Sequence, residues 1–312
     1  MDLGLKGLKA VVTGGTKGIG RAIAQTLAAE GAHVAFCARN AEEVAQAVKD
    51  FPNNGVKISG RAVDVADGPA LAAWVNDVAA EFGGIDIVVA NVSALAIATD
   101  EAAWQRGFEV DMMGTVRLVN AAMPWLEKSE HASIVTISSV SGRESDFASG
   151  PYGAFKAAII HYTQGLAYHL AGQKIRANTV SPGNTYFPGG VWNQIETGNP
   201  KLFAEALALN PTGRMGTPQE MANAGHYVFG TSRSATEGSN DGVRMMRLDV
   251  GSASSVQDCV DHVVRAVGRI DVLVNNAGFD LYGAFEETSP EEFADQMDTN
   301  FMGAVRMVRA VL

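Results

Sequence analysis

Three side chains in one stretch have types and spacing suited to moving a proton. Tyr152 and Lys156 stand four residues apart, and Ser139 lies thirteen residues ahead of the tyrosine. On a helix, positions i and i+4 share a face, so phenol and ammonium would lie side by side. A phenol is a weak acid, with an ordinary pKa of ~10. A neighbouring cation stabilises the phenolate and makes the group a usable proton donor and acceptor. A serine hydroxyl beside it suits a carbonyl oxygen. The pair alone is a common surface-helix pattern, so its meaning depends on what the rest of the chain builds around it.

The N-terminal part supplies a phosphate site. Residues 8–13 (LKAVVT) read as a short buried strand, followed by Gly14-Gly15-Thr16-Lys17-Gly18-Ile19-Gly20 and then helical periodicity over 21–30. A strand, a glycine turn and a helix start let backbone approach a pyrophosphate and offer it unpaired N–H groups. The spacing is G-x-x-x-G-x-G rather than G-x-G-x-x-G. Residues 33–38 (HVAFCA) read as the second strand, which ends in Arg39 rather than in an acidic residue. With Lys17 in the glycine loop, two cations and no carboxylate suit a ribose 2′-phosphate, so NADP(H) is favoured over NAD(H).

Strands and helices then alternate. Residues 56–65 hold a strand ending in Asp64 and Val65, and 85–90 form one running into Asn91. Residues 101–125 are a long helical region containing Asp111, and 132–138 form a strand with Ser139 at its end. Residues 152–171 read as the helix of the Tyr–Lys pair, and 175–180 as a strand closed by Pro182-Gly183. Residues 184–210 carry Tyr186, Phe187, Trp192 and Phe203, either a lid over an apolar substrate or a surface excursion packed by its own aromatics. Residues 218–229 read as a helix. This alternation predicts an α/β fold, a Rossmann-type doubly wound parallel sheet with helices on both faces, with ligands beyond the C-terminal strand ends.

Composition narrows the classes. The 312 residues are 47% hydrophobic and 19% charged, with a net charge of −10. That suits a soluble globule and argues against a nucleic-acid surface. Cys37 and Cys259 lie in apolar stretches and read as buried free thiols, consistent with a cytoplasmic protein. No leader and no bilayer-spanning run is expected. His161 and His169 lack partners at metal-ligand spacing, so no metal is expected.

Taken together, residues 5–234 resemble a short-chain dehydrogenase/reductase of the classical type. The resemblance rests on Thr13-Gly14-x-x-x-Gly18-x-Gly20, Asp64, Asn91, Ser139, Tyr152-x-x-x-Lys156 and Pro182-Gly183, in the family's order. It implies about seven parallel strands, usually in homodimers or homotetramers. It implies that Tyr152 is the general acid or base, that Lys156 holds the nicotinamide ribose and depresses the Tyr152 pKa, and that Ser139 binds the substrate oxygen. Gly14, Thr16, Lys17, Gly18, Ile19, Gly20, Arg39, Asp64, Val65, Asn91, Pro182 and Gly183 would join Tyr152 and Lys156 around the cofactor. Two departures stand out. The family's Asn-Asn-Ala-Gly is Ala90-Asn91-Val92-Ser93, and Asp111 replaces the usual catalytic asparagine.

The C-terminus repeats the middle of this pattern. Leu248-Asp249-Val250 echoes Val63-Asp64-Val65, and Asn276 echoes Asn91, at one constant offset. Asn300-x-x-Gly303 echoes Asp111-x-x-Gly114 after a four-residue insertion, and Asn275-Asn276-Ala277-Gly278 carries the fuller family motif. The copy has no glycine loop and no Ser–Tyr–Lys set. The expected domains are therefore 1–238, a catalytic NADP-binding domain, and 239–312, a partial α/β repeat. Residues 244–250 either begin a fused fragment or replace the last strand of the first domain. The function implied is an NADPH-dependent oxidoreductase moving hydride between nicotinamide and a ketone or secondary alcohol, such as a 3-oxoacyl thioester or a cyclic or aryl ketone. The rival is a non-catalytic NADP-binding or scaffold protein, inactivated by the altered C-terminus.

Overall fold

A computed structural model describes residues 3–51, 55–210, 212–223, 228–232, 238–240, 243–267 and 289–311. The chain divides into two compact units, Met1–Ala224 and Gly225–Leu312.

The first unit alternates strand and helix. Its opening half runs β1 (Lys9–Thr13), α1 (Gly18–Ala29), β2 (His33–Ala38), α2 (Ala41–Lys49), β3 (Ile58–Ala62) and α3 (Gly68–Phe82). The next stretch is β4 (Ile87–Ala90), α4 (Glu101–Gly107), a π-helical turn (Phe108–Met113), α5 (Gly114–Leu126) and β5 (Ser133–Ile137). It closes with α6 (Pro151–Leu170), β6 (Arg176–Val180), α7 (Val191–Gly198), α8 (Pro200–Ala208) and α9 (Pro218–Asn223). The six strands are parallel in the order β3-β2-β1-β4-β5-β6. The chain winds outward from β1 in one direction and from β4 in the other, so the topological switch point lies between them. Ligand crevices of such sheets open there.

Both sheet faces are covered, which is why the central strands read as unbroken apolar runs. On one face Trp74, Leu71, Leu118, Leu126 and Ile134 fill the space under α3 and α5. On the other, Ala24 and Ala28 of α1 pack on Val12, Val34 and Phe36. Local signals set the helix limits. Asn40 caps α2, Asp67 caps α3 with Pro69 in its first turn, and Gly83 closes α3 in the left-handed region. Cys37 and Cys259 are both buried and unpaired, and burial pushes the Cys37 thiol up to about 12.

The second unit contains β7 (Val228–Ser232), β8 (Gly238–Asn240), β9 (Val243–Arg247), α10 (Ala253–Val267), α11 (Pro290–Met297), a π-helical turn (Asp298–Met302) and α12 (Gly303–Val311). One expectation is corrected here, and one of the two alternatives for residues 244–250 is not borne out. The helix expected over 218–229 is described over Pro218–Asn223, and Val228 already belongs to a strand. Residues 243–247 do not complete the first sheet. They lie in a separate three-stranded sheet, β7-β9-β8, parallel to β7 and antiparallel to β8. The first sheet therefore has six strands among the described residues, rather than about seven. The expected strand at 270–275 and the Asn275-Asn276-Ala277-Gly278 motif lie outside the described residues.

The two units share local detail. A Cβ added to Gly303 would lie 2.7 Å from Val250 Cγ2, as one on Gly114 would lie 3.0 Å from Val65 Cγ2. Arg306 donates to both carboxylate oxygens of Asp298 and to the Val250 carbonyl. Arg117 donates to Glu109 and to the Ala66 carbonyl.

Candidate active site

The turn after β1 is held open by backbone. Gly14 takes a φ of +75°, and Gly14 N and Gly15 N both donate to the Cys37 carbonyl at the end of β2. A Cβ on Gly20 would lie 2.2 Å from Gly14 O and 2.4 Å from Asn91 Nδ2, so no side chain fits there. Asn91 ties the neighbouring strand to the turn, donating from Nδ2 to Thr13 O at 3.0 Å. Lys17 occupies the N-cap of α1, and no side chain caps that helix. Its first-turn N–H groups are thus open to an anion. This cradle suits a pyrophosphate, and the Phe187 ring lies close over Gly18 beside it.

Ser139 sits just past β5, and the turn after it is pressed onto α6. A Cβ on Gly142 would lie 2.6 Å from the Lys156 carbonyl carbon and 2.8 Å from Ala157 N. Ser138 Oγ donates to the Lys156 carbonyl at 2.7 Å. This close approach sets Ser139 against Tyr152. Neither Gly142 nor Ser138 stands out in the sequence; a glycine shortly after a strand end is the only signal. Gly142→Ala is expected to cost about 1–3 kcal/mol, because backbone rather than a flexible side chain would have to yield. Urea unfolding measures that loss, and turnover per folded molecule should fall beyond it; a variant with wild-type stability and turnover would refute the packing argument.

Beneath Tyr152 lies a buried ion pair. Lys156 is only 2% exposed and Asp111 1%. Lys156 Nζ donates to the Ile137 carbonyl at 2.9 Å, sits 3.4 Å from Asp111 Oδ1, and lies 5.6 Å from the Tyr152 ring centre. Asp111 Oδ2 accepts from Ala94 N at 2.8 Å, while Oδ1 accepts no hydrogen bond. Burial pulls the Lys156 pKa down, with Asp111 acting against it. Burial pushes Tyr152 up, Ser139 opposes this, and the carboxylates of Asp111 and Asp146 add to the rise.

A cavity of about 750 Å³ joins these parts. It is lined by Lys17, Gly18, Ile19, Gly20, Asn91, Ser139, Tyr152, Lys156, Pro182 and Gly183 among the residues singled out in the sequence. Gly14 and Thr16 shape the turn from behind, with Thr16 buried. Asp64 accepts from Ala66 N in the turn after β3, and Val65 packs on Gly114. The sequence reading missed much of the substrate end, including Leu95, Ile97, Ser141 and Phe147. Leu95 has a φ of +48°, a strained left-handed conformation for a branched side chain, of a kind that clusters at functional sites. The segment after Pro182 folds as α7 and α8, and its own aromatics pack together, Phe203 against Tyr186 and Trp192. Its Trp192 meets Phe147 edge-to-face at 5.4 Å and lines the same cavity.

At the far end of the turn the charge pattern differs from expectation. Lys17 Nζ is 2.8 Å from Glu43 Oε1, so a carboxylate does stand beside the glycine loop. Arg39 is exposed and makes no hydrogen bond or ion pair among the described residues. Among those residues no His, Cys, Asp or Glu group could hold a metal ion, and no helix is long and apolar enough to cross a membrane.

The profile of the short chain dehydrogenase family matches residues 9–194 and 219–312. The chain belongs to the short-chain dehydrogenase family. It is 37% identical to isoepoxydon dehydrogenase of Penicillium expansum over 77% of this chain and 94% of that one. It is 34% identical to the 3-oxoacyl-acyl-carrier-protein reductase of Escherichia coli, over 71% of this chain and 89% of that protein. Among solved structures, L-sorbose reductase of Gluconobacter frateurii, complexed with NADPH and L-sorbose, superposes with a TM-score of 0.65 at 29% identity, covering 72% of this chain and 89% of that one. Within this short-chain dehydrogenase, the altered loop Ala90-Asn91-Val92-Ser93 leads into the strained Leu95, and Asp111 reaches that loop through Ala94 N.

Proposed function

We propose that this chain is an NADPH-dependent oxidoreductase that interconverts a ketone and a secondary alcohol. The observation that carries the reading is the single cavity in which the glycine cradle meets Ser139, Tyr152 and Lys156. NADPH, when bound along the cradle, supplies the hydride. Gly14, Gly18, Ile19 and Gly20 accommodate its pyrophosphate, with Thr16 behind them; Asn91, Pro182 and Gly183 border the nicotinamide end. Asp64 and Val65 border the adenine. Arg39 and Lys17 face the 2′-phosphate.

Ser139 holds the substrate oxygen, and Tyr152 gives it a proton in reduction or takes one in oxidation. Lys156 keeps a positive charge below the phenol and binds the nicotinamide ribose. Asp111 holds Lys156 in place. A phenol kept protonated by burial is suited to the acid role. Leu95, Ile97, Phe147, Phe187, Trp192 and Ile195 make the substrate end apolar, which fits a cyclic or aryl ketone and leaves room for a 3-oxoacyl thioester. The relatives support a C=O or CH–OH substrate through their names. The non-catalytic alternative has against it the joint presence of all three of Ser139, Tyr152 and Lys156 on one cavity.

The protein works as a cytoplasmic homodimer or homotetramer on a small molecule, without nucleic acid or membrane. Residues 1–238 form the catalytic domain in this reading, and 239–312 an incomplete repeat of the same fold. The Gly303 packing in one unit resembles that of Gly114 in the other, and the Arg306 hydrogen bonds resemble those of Arg117, which supports it.

Titration of the purified full chain with NADPH and NADH, followed by a ketone screen, tests the proposal. NADPH should bind more tightly and be consumed with a cyclic ketone; no binding of either sinks it. Arg39→Asp should weaken NADPH by about tenfold and shift preference toward NADH, because the change swaps attraction for repulsion at the 2′-phosphate. An unchanged preference would place recognition of the phosphate elsewhere.

A further inference from the structure

The ion pair at the glycine loop assigns a role to a residue outside the family motifs. We infer that Glu43 selects between the two nicotinamide cofactors, by competing with a 2′-phosphate for Lys17 and by accepting a hydrogen bond from a free 2′-hydroxyl. The inference rests on the dinucleotide-binding reading given above.

Geometry carries it. Helix α2 starts at Ala41, directly after Arg39 and Asn40 at the end of β2. The Asn40 side chain accepts from both Glu42 N (2.9 Å) and Glu43 N (3.1 Å), which fixes the first turn. Glu43 is thereby held toward the glycine loop, with Oε1 2.8 Å from Lys17 Nζ.

The lysine and glutamate side chains are 63% and 38% exposed, so water screens the pair and it opens at little cost. A 2′-phosphate can therefore take Lys17, but only by leaving Glu43 unpaired beside a new anion. The 2′-hydroxyl of NADH needs no such exchange, since it donates to Glu43 while Lys17 stays paired. Among the described residues Arg39 has no competing partner, and it favours the phosphate. The opposing pulls of Arg39 and Glu43 make the wild-type preference for NADPH a small one.

Dissociation constants of the full chain for NADPH and NADH, read by nicotinamide fluorescence at low and physiological salt, test this without turnover. Glu43→Gln should raise the NADPH-over-NADH affinity ratio by about tenfold, the scale of one like-charge contact. Glu43→Asp, which keeps the charge, should stay near wild type. In a Lys17→Met background the gain from Glu43→Gln should shrink, because competition for the lysine is gone. A ratio unchanged in Glu43→Gln, or a gain undiminished without Lys17, overturns the inference. Wild-type protein that binds NADH more tightly than NADPH would sink the proposed preference and leave the ratio test for Glu43 standing.

Discussion

Tyr152→Phe is expected to lower kcat by about 10²–10⁴-fold, the usual worth of a positioned general acid. The ring is kept, so its packing over Lys156 and the backbone bond from Tyr152 N to the Ala96 carbonyl survive. Only the proton-bearing oxygen goes. NADPH affinity should therefore change by no more than about tenfold, the scale of one hydrogen bond. Turnover and fluorescence titration on the same preparation separate the two effects. Retained turnover would remove Tyr152 from the mechanism. Turnover and binding lost together would mean that the phenol supports the cofactor site rather than the chemistry.

The second large effect concerns stability. Asp111→Ala should destabilise the first unit by about 3–5 kcal/mol, because it leaves a buried ammonium without its counter-charge. The Ala94 N–H would lose its acceptor as well. Asp111→Asn also removes the charge but keeps that acceptor, so it should cost less than the alanine variant by about 1–3 kcal/mol, the penalty of one unsatisfied buried donor. Urea unfolding followed by tryptophan fluorescence compares the two, and Trp74 in the core reports on this unit. Equal losses would show that the contact to Ala94 is irrelevant.

The same asparagine variant also tests the electrostatics of Tyr152. Reduction needs the protonated phenol, so the rate falls as pH rises through the Tyr152 pKa. Burial raises that pKa most, and Asp111 raises it further. Removing the charge must bring the fall to lower pH. A fall that stays in place or moves upward would mean that Asp111 acts on Lys156 alone.

A chain read one residue at a time carries what is local. The alternation of apolar runs and helical periodicity determined the doubly wound sheet, because each strand and helix is specified by its own few residues. The glycine turn was legible because no side chain fits between Gly14 O and Gly20. Ser139, Tyr152 and Lys156 were legible because one strand end and one helix face hold them all.

Tertiary structure decided what depends on distant segments meeting. Glu43 reaches Lys17 only because β1 and β2 are adjacent and in register from Lys9 opposite His33 onward. Asp111 neutralises Lys156 only because the π-helical turn carries it inward to a buried position against α6. Phe147 finds Trp192 across the cavity from separate elements, and residues 243–247 pair with β7 and β8 rather than with β6. In each case the side-chain type was visible in the sequence. Its partner was not, because charge pairing and strand pairing act through space and leave no fixed interval along the chain.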